Sequence, residues 1–186
     1  MRRDQGRLVR LRPLRQADAA ITQSWRNDPV VRHNTLGFRF PITQEREEVW
    51  FERILRDTGQ NRADFAIECV ADDALVGMTH LCEIDWIARH ARLGVVIGEA
   101  ARQGQGYAAE ALGLLFDYAF NILNLRRIHL QVASYNRRAL ALYARLGFIE
   151  EGRLREHVYL DDGYHDLILM GLMRADCAPP SATGSA

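Results

Sequence analysis

Lysine is absent from this chain: all 24 basic residues are arginine, and 24 acidic residues bring the formal net charge to zero. The missing lysine is read as arginine-favouring codon usage and carries no function. The zero balance excludes a bulk attraction to nucleic acid or to an anionic membrane. Cysteine is scarce, and Cys69, Cys82 and Cys177 are odd in number and widely spaced, with no C-x-x-C and no histidine at ligand spacing. That excludes a disulfide framework and a zinc site, and sets the expectation of a reduced cytoplasmic protein without metal. No apolar run is long enough to span a bilayer, and the opening M-R-R-D-Q lacks the apolar core of a signal peptide. What is present is a chain of 186 residues, 48% of them hydrophobic, enough for one packed core. The last ten, C-A-P-P-S-A-T-G-S-A from Cys177, read as a flexible tail, which leaves residues 1–176 as a single domain.

Periodicity places the elements. Arg7 to Leu14 alternates as a first strand. Six arginines between Arg2 and Arg15 have no aromatic residues among them, so they read as the solvent face of an edge strand, not as a nucleic-acid arm. Asp18 to Arg26 is an amphipathic helix stopped by Asn27-Asp28-Pro29. Phe38 to Pro41 leads to a second helix with Thr43 at its N-cap and an apolar set of Val49, Trp50, Ile54 and Leu55. Asp64 to Val70, Leu75 to Ile84 and Ala91 to Ile97 form a meander. Arg127 to Ala133 is a buried strand, Asn136 to Leu146 a helix closed by Gly147, and Ile149 to Leu160 with Tyr164 to Met173 a hairpin around D-D-G.

The centre of the chain runs L-G-V-V-I-G-E-A-A-R-Q-G-Q-G-Y-A-A-E-A-L-G-L-L-F from Leu93 to Phe116. A strand breaks at Gly98 into a glycine loop, and the apolar positions Ala108, Ala111, Leu112, Leu115, Phe116 and Ala119 then take helical spacing. Strand, glycine loop and helix start together offer free N–H groups to a phosphate. G-Q-G-Y-A-A also fits the loose dinucleotide pattern G-x-G-x-x-A, but no acidic residue stands between Asp117 and Glu150 to hold a ribose.

Gln103-Gly104-Gln105-Gly106-Tyr107-Ala108 matches the Q/R-x-x-G-x-G/A signature of the GCN5-related N-acetyltransferases. The stretch N-R-R-A-L-A-L-Y-A-R-L-G-F, from Asn136 to Phe148, resembles that family's second signature. W-R-N-D-P-V-V-R from Trp25 and E-G-R-L-R-E-H-V-Y-L-D-D-G-Y-H-D from Glu151 are similar to its branch of ribosomal-protein and spermidine acetyltransferases. The resemblance covers Leu8 to Arg174 and implies one α/β domain. Its mixed, mostly antiparallel sheet would have about seven strands flanked by about four helices.

The same resemblance implies acetyl-CoA as co-substrate, a primary amine or protein N-terminus as acceptor, and a homodimer. Main-chain N–H groups of Val95, Val96 and Ile97 would hold the thioester carbonyl and pantetheine, and the amides from Gln103 through Gly104, Gln105, Gly106 and Tyr107 to Ala108 the pyrophosphate. Gly94 is consistent with a bulge that frees those N–H groups, or with close packing. Asn136 resembles the asparagine that touches pantetheine, and is also a favoured N-cap. Tyr143 resembles the general acid, against the alternative of an ordinary buried tyrosine. The position where many relatives carry a glutamate base is Arg92, so the expected base is Glu151, with Glu83, Asp85 and His157 in reserve. Asp161, Asp162 and Asp166 with Glu150 and Glu151 would suit a cationic acceptor such as a polyamine or a basic peptide N-terminus, while Tyr159, Tyr164 and His165 would suit an amino sugar or amino acid. A non-catalytic acyl-CoA sensor is the second reading of the whole.

Overall fold

The computed structural model describes residues 4–36, 40–57, 59–160 and 163–177. The hairpin turn at Asp161-Asp162, the tail beyond Cys177 and the first two residues of the lead-in, Phe38 and Arg39, lie outside them.

Seven strands form one sheet: β1 (Val9–Pro13), β2 (Arg62–Cys69), β3 (Leu75–Asp85), β4 (His90–Ile97), β5 (Arg127–Ala133), β6 (Ile149–Leu160) and β7 (Gly163–Met173). Their order is β1-β2-β3-β4-β5-β7-β6. Every pairing is antiparallel except β4 with β5. Period-2 alternation splits the apolar residues between the two faces. Ile67, Val76, Leu81 and Leu93 meet the helix α4 (Tyr107–Asp117) through Ala111, Leu112, Leu115 and Phe116. Ala66, Leu75 and Met78 meet the helices α1 (Ala19–Asn27) and α3 (Gln44–Arg56) through Ala19, Trp25, Phe51 and Ile54 on the other face. Among the described residues the remaining α-helices are α2 (Pro29–His33) and α5 (Arg137–Arg145), and a π-helical turn at Tyr118–Ile122 extends α4.

The short α2 is the element the sequence reading lacked. Asn27-Asp28-Pro29 does stop α1, but Asp28 then accepts the N–H groups of Val30 and Val31, and Pro29 occupies the first helical position. A cap followed by a proline starts a new helix where a stop alone was expected.

The buried face of α3 also differs. Thr43 caps it as expected, and of the expected apolar set Ile54 is buried and Trp50 and Leu55 pack against the core, but Val49 is 65% exposed, and Phe51 and Glu47 are turned inward. Burial of a carboxylate is tolerated here because Glu47 accepts a hydrogen bond from the Thr22 hydroxyl at 2.7 Å and faces the Arg26 guanidinium at 3.0 Å. At the N-terminal edge, Arg10 and Arg12 reach Glu68 on β2, and Arg12 also binds Asp18 bidentately. The arginines of β1 are thus partly consumed in cross-strand pairs.

Candidate active site

The site is built on a failure of pairing. Strand β4 contacts β5 in register only at His90, Ala91 and Arg92, opposite Arg127, Ile128 and His129; beyond Arg92 the two strands diverge. From Arg92 to Ile97 the register of β4 against β3 is continuous, its irregularity lying between Cys82 and Asp85, so no bulge at Gly94 opens the gap. Gly94 serves close packing, since a Cβ there would fall 2.4 Å from the His80 ring. Gly98 N–H donates to Val76, and in an antiparallel ladder residues two apart face the same neighbour. Val96 and Gly94 therefore turn their main chain to β3, while Val95 and Ile97 turn theirs to the gap. Of the three expected main-chain donors, the alternation leaves two, Val95 and Ile97.

A cavity of about 300 Å³ occupies the gap. Thr22, Trp25, Arg26 and Trp50 close it on one side of the sheet, and Asn136, Ala139 and Tyr143 on the other. Those last three share one face of α5, because spacings of three, four and seven residues return to the same side of a helix. Asn136 caps α5 by accepting the Ala139 N–H at 3.1 Å, and its amide donates to the Asn34 carbonyl. Next to it the Tyr135 hydroxyl donates to the His33 carbonyl at 2.7 Å, so α2 is tied to the β5–α5 turn. Tyr143 is 8% exposed and packs edge-on against Phe148. Burial pushes its phenol up to about 12.

The opposite face of α5 looks at the glycine loop. Ile97, Gly104, Gly106, Tyr107 and Ala108 line a second cavity of about 380 Å³, together with Arg102, Arg138 and Arg145. Gly106 is the N-cap of α4, with φ +91° and no side chain capping the first-turn amides. A helix start with uncapped N–H groups beside three guanidinium-bearing side chains is a donor set suited to a pyrophosphate, and the residues present fit coenzyme A. Gln103 fixes the loop by donating to the Ile97 carbonyl at 3.2 Å and accepting from Arg138 at 3.1 Å. Gln105 is exposed and donates to the Ala101 carbonyl. The arginines were missed from sequence. The signal was there in Arg138 and Arg145, seven apart on one helical face.

Glu151, the expected base, is not brought to either cavity. It forms a bidentate pair with Arg127, which holds its carboxyl below the usual glutamate range. Arg127 opens β5, roughly 16 Å along the strand from Val132 in the cavity wall. The reserves fare no better: Glu83 pairs with Arg92, Asp85 caps the turn at Ile87 and Ala88, and His157 is exposed on β6. His80 does line the cavity, but burial pushes its imidazole down to about 4. Glu99 faces solvent, paired with Arg102. Among the described residues no group of three or more His, Cys, Asp or Glu gathers to hold a metal, and no helix is long and apolar enough to cross a membrane.

Comparison with known proteins agrees with this geometry. Residues 8–149 match the Acetyltransferase (GNAT) domain family. Spermidine N(1)-acetyltransferase of Vibrio cholerae is 32% identical over 165 residues, spanning 89% of this chain and 92% of that protein. A putative ribosomal N-acetyltransferase of Bacillus subtilis is 32% identical over 132 residues, covering 69% of this chain and 72% of that one. Among solved structures, the Vibrio cholerae spermidine N-acetyltransferase in complex with CoA and spermine superposes with a TM-score of 0.82 at 29% identity, covering 91% of this chain and 97% of that chain. A seven-stranded sheet opened at β4 and β5, a glycine loop at the start of α4 and a matching family domain lead to one statement: this chain belongs to the GNAT acetyltransferase family and is an acetyl-CoA-dependent N-acetyltransferase.

Proposed function

We propose that the chain moves an acetyl group to a primary amine by direct attack on the thioester, with Tyr143 as the acid and no carboxylate base in the cavity. The observation that carries this reading is the single face of α5 on which Asn136, Ala139 and Tyr143 line the gap beside the main chain of β4. Acetyl-CoA supplies the activated acyl group. Val95 and Ile97 direct main-chain donors to where the carbonyl oxygen gains charge. The amine nitrogen forms the new C–N bond as the C–S bond breaks, the Tyr143 hydroxyl donates its proton to the departing sulfur, the excess proton of the amine leaves to water, and the Tyr143 phenolate regains a proton from water to complete the cycle. Asn136 and the amides from Gln103 to Ala108 hold the carrier in place. Spermidine and a ribosomal acceptor, named for the two relatives, share a primary amine as the reacting group.

A homodimer belongs to the same proposal, supported by exposed Ile149, Leu154 and Tyr159 along the outermost strand β6. A cytoplasmic setting is supported by the buried cysteines Cys69 and Cys82, neither of which is in a disulfide.

The pH profile tests the acid. A group that works protonated loses activity as pH rises through its pKa, and burial has moved that of Tyr143 up to about 12. With no base in the cavity, the rate follows the fraction of neutral amine. We expect kcat/KM for thiol release to rise steadily with pH and to show no descending limb below roughly pH 10. A limb that falls between pH 7 and 10 would assign the proton to another group.

A further inference from the structure

The charges around the amine end of the cavity have one sign. Among the described residues no aspartate or glutamate lines it, and its ionised side chains are Arg26 and Arg92. Arg26 lies over the Trp50 ring, 4.1 Å from its centre. Arg26 and Trp50 are also walls of a third cavity of about 380 Å³, lined further by Phe40, Ile42, Arg46, Val49 and Arg53. Residues 46, 49 and 53 form the outward face of α3, with Val49 exposed, while Trp50 lies between that face and the core it packs against. Two adjoining cavities therefore present four arginines between them. The single carboxylate in either lining is Glu47, which is fully buried and turned to Thr22 and Arg26.

The compensating carboxylates stand behind the guanidinium groups. Glu83, which binds Arg92, does not line the cavity, and neither does Glu47 on the catalytic side. The acids that might have drawn a cation are engaged elsewhere: Asp166 and Glu150 with Arg153, and Glu151 with Arg127. Asp161 and Asp162 lie outside the described residues. A polyamine entering this space would bring ammonium groups against guanidinium groups in a confined, low-dielectric setting. A carboxylate would find planar paired donors, one of them already oriented by stacking on an indole.

We infer that the acceptor is a small amine that also carries a carboxylate, of the free amino-acid class, whose anionic group is received by Arg26 after being gathered by Arg46 and Arg53. This rests on the transferase reading above and names the substrate class of the same site. Arg26 acts as the specificity residue, with Thr22 and Glu47 fixing its orientation from behind. Arg46 and Arg53 raise the local concentration of anions, an effect that salt screens.

The test is thiol release from acetyl-CoA with the standard amino acids, each offered as the free acid and as its methyl ester, with spermidine alongside. The ester keeps the amine and removes the anion. We expect at least one free acid to exceed both its ester and spermidine by tenfold or more in kcat/KM, the size of one charge-assisted hydrogen bond. Arg46→Gln with Arg53→Gln, at exposed positions, should raise KM for that acid several-fold and leave KM for acetyl-CoA unchanged. Arg26→Gln should erase the preference for acid over ester, with melting temperature checked alongside. Equal rates for acid and ester, or a preference for spermidine, overturn the acceptor class and leave the transferase reading standing. A chain that binds acetyl-CoA and acetylates none of these amines overturns the acceptor class, and one that also leaves a peptide with a free N-terminus untouched overturns the transferase reading with it.

Discussion

Replacing Tyr143 by Phe should lower turnover by about tenfold to a thousandfold, the loss that follows removal of one acid or one donor to developing charge. The ring, its contact with Phe148 and its place in the core are kept, so melting temperature and acetyl-CoA affinity should hardly move. A phenol at about 12 is a weaker acid than free tyrosine, and a free alkyl thiol lies near 8.5. Full transfer in bulk water would therefore run uphill. Inside the cavity the same desolvation that raises the phenol also raises the thiol, because both anions lose water. The donor is then best matched late, when the C–S bond is nearly broken and the sulfur is most basic. The variant should accordingly show a thiol-leaving-group dependence steeper than that of the parent chain. Unchanged turnover would return Tyr143 to a purely structural role.

The second large effect is expected at Gly106. Its φ of +91° is a conformation that side chains with a Cβ adopt at a cost, and a Cβ there would also meet Leu8 Cδ1 at 3.4 Å. Gly106→Val should weaken acetyl-CoA binding by tenfold or more, read by calorimetry, because the first-turn amides of α4 move and a branched side chain fills the approach of the phosphates. The strain itself is worth about 1–2 kcal/mol of stability. Gly106→Ala carries most of that strain and less of the bulk, so the difference between the two variants isolates obstruction of the ligand. Equal affinity in both variants and the parent would show that the loop does not carry the phosphates.

Much of this was readable from residue order. Strand β5 and the start and end of β6 follow from apolar runs between turn signals, and the glycine loop and the α5 signature fixed which helix and strand ends must meet. What was not readable is of two kinds. Val49, Trp50, Ile54 and Leu55 have the spacing of a core stripe, but periodicity cannot fix where its edge falls; Ile54 is buried and Trp50 and Leu55 pack against the core, while Val49 turned out to solvent and Phe51 and Glu47 turned in. Glu151 was placed by analogy along the chain, while its position depends on the register of β6 against β7 and on Arg127 two strands away, a contact 24 residues apart in sequence. Ion-pair partners are decided by sheet order, and sheet order is not local information.

The parted strands have a further consequence, for the rigidity of the free chain. Within the sheet the ladder between the β1–β4 half and the β5–β7 half is short: three register pairs, extended by the Arg89 carbonyl, which accepts from Arg126 and Arg127, while one apolar core packs beneath both halves. In the absence of ligand the amides of Val95 and Ile97 have no strand to bond to, so their protons should exchange with solvent rapidly. Gly98, bonded to Val76, should stay protected. A carrier lying in the gap acts as the missing rung. Its binding energy then appears as resistance to local opening, and exchange at Val95 and Ile97 should slow in proportion to occupancy. Under the proposed binding mode the co-substrate would add a second seam between the two halves of the sheet, beside the short ladder and the shared core, so that part of the rigidity needed for transfer would arrive with the acetyl group.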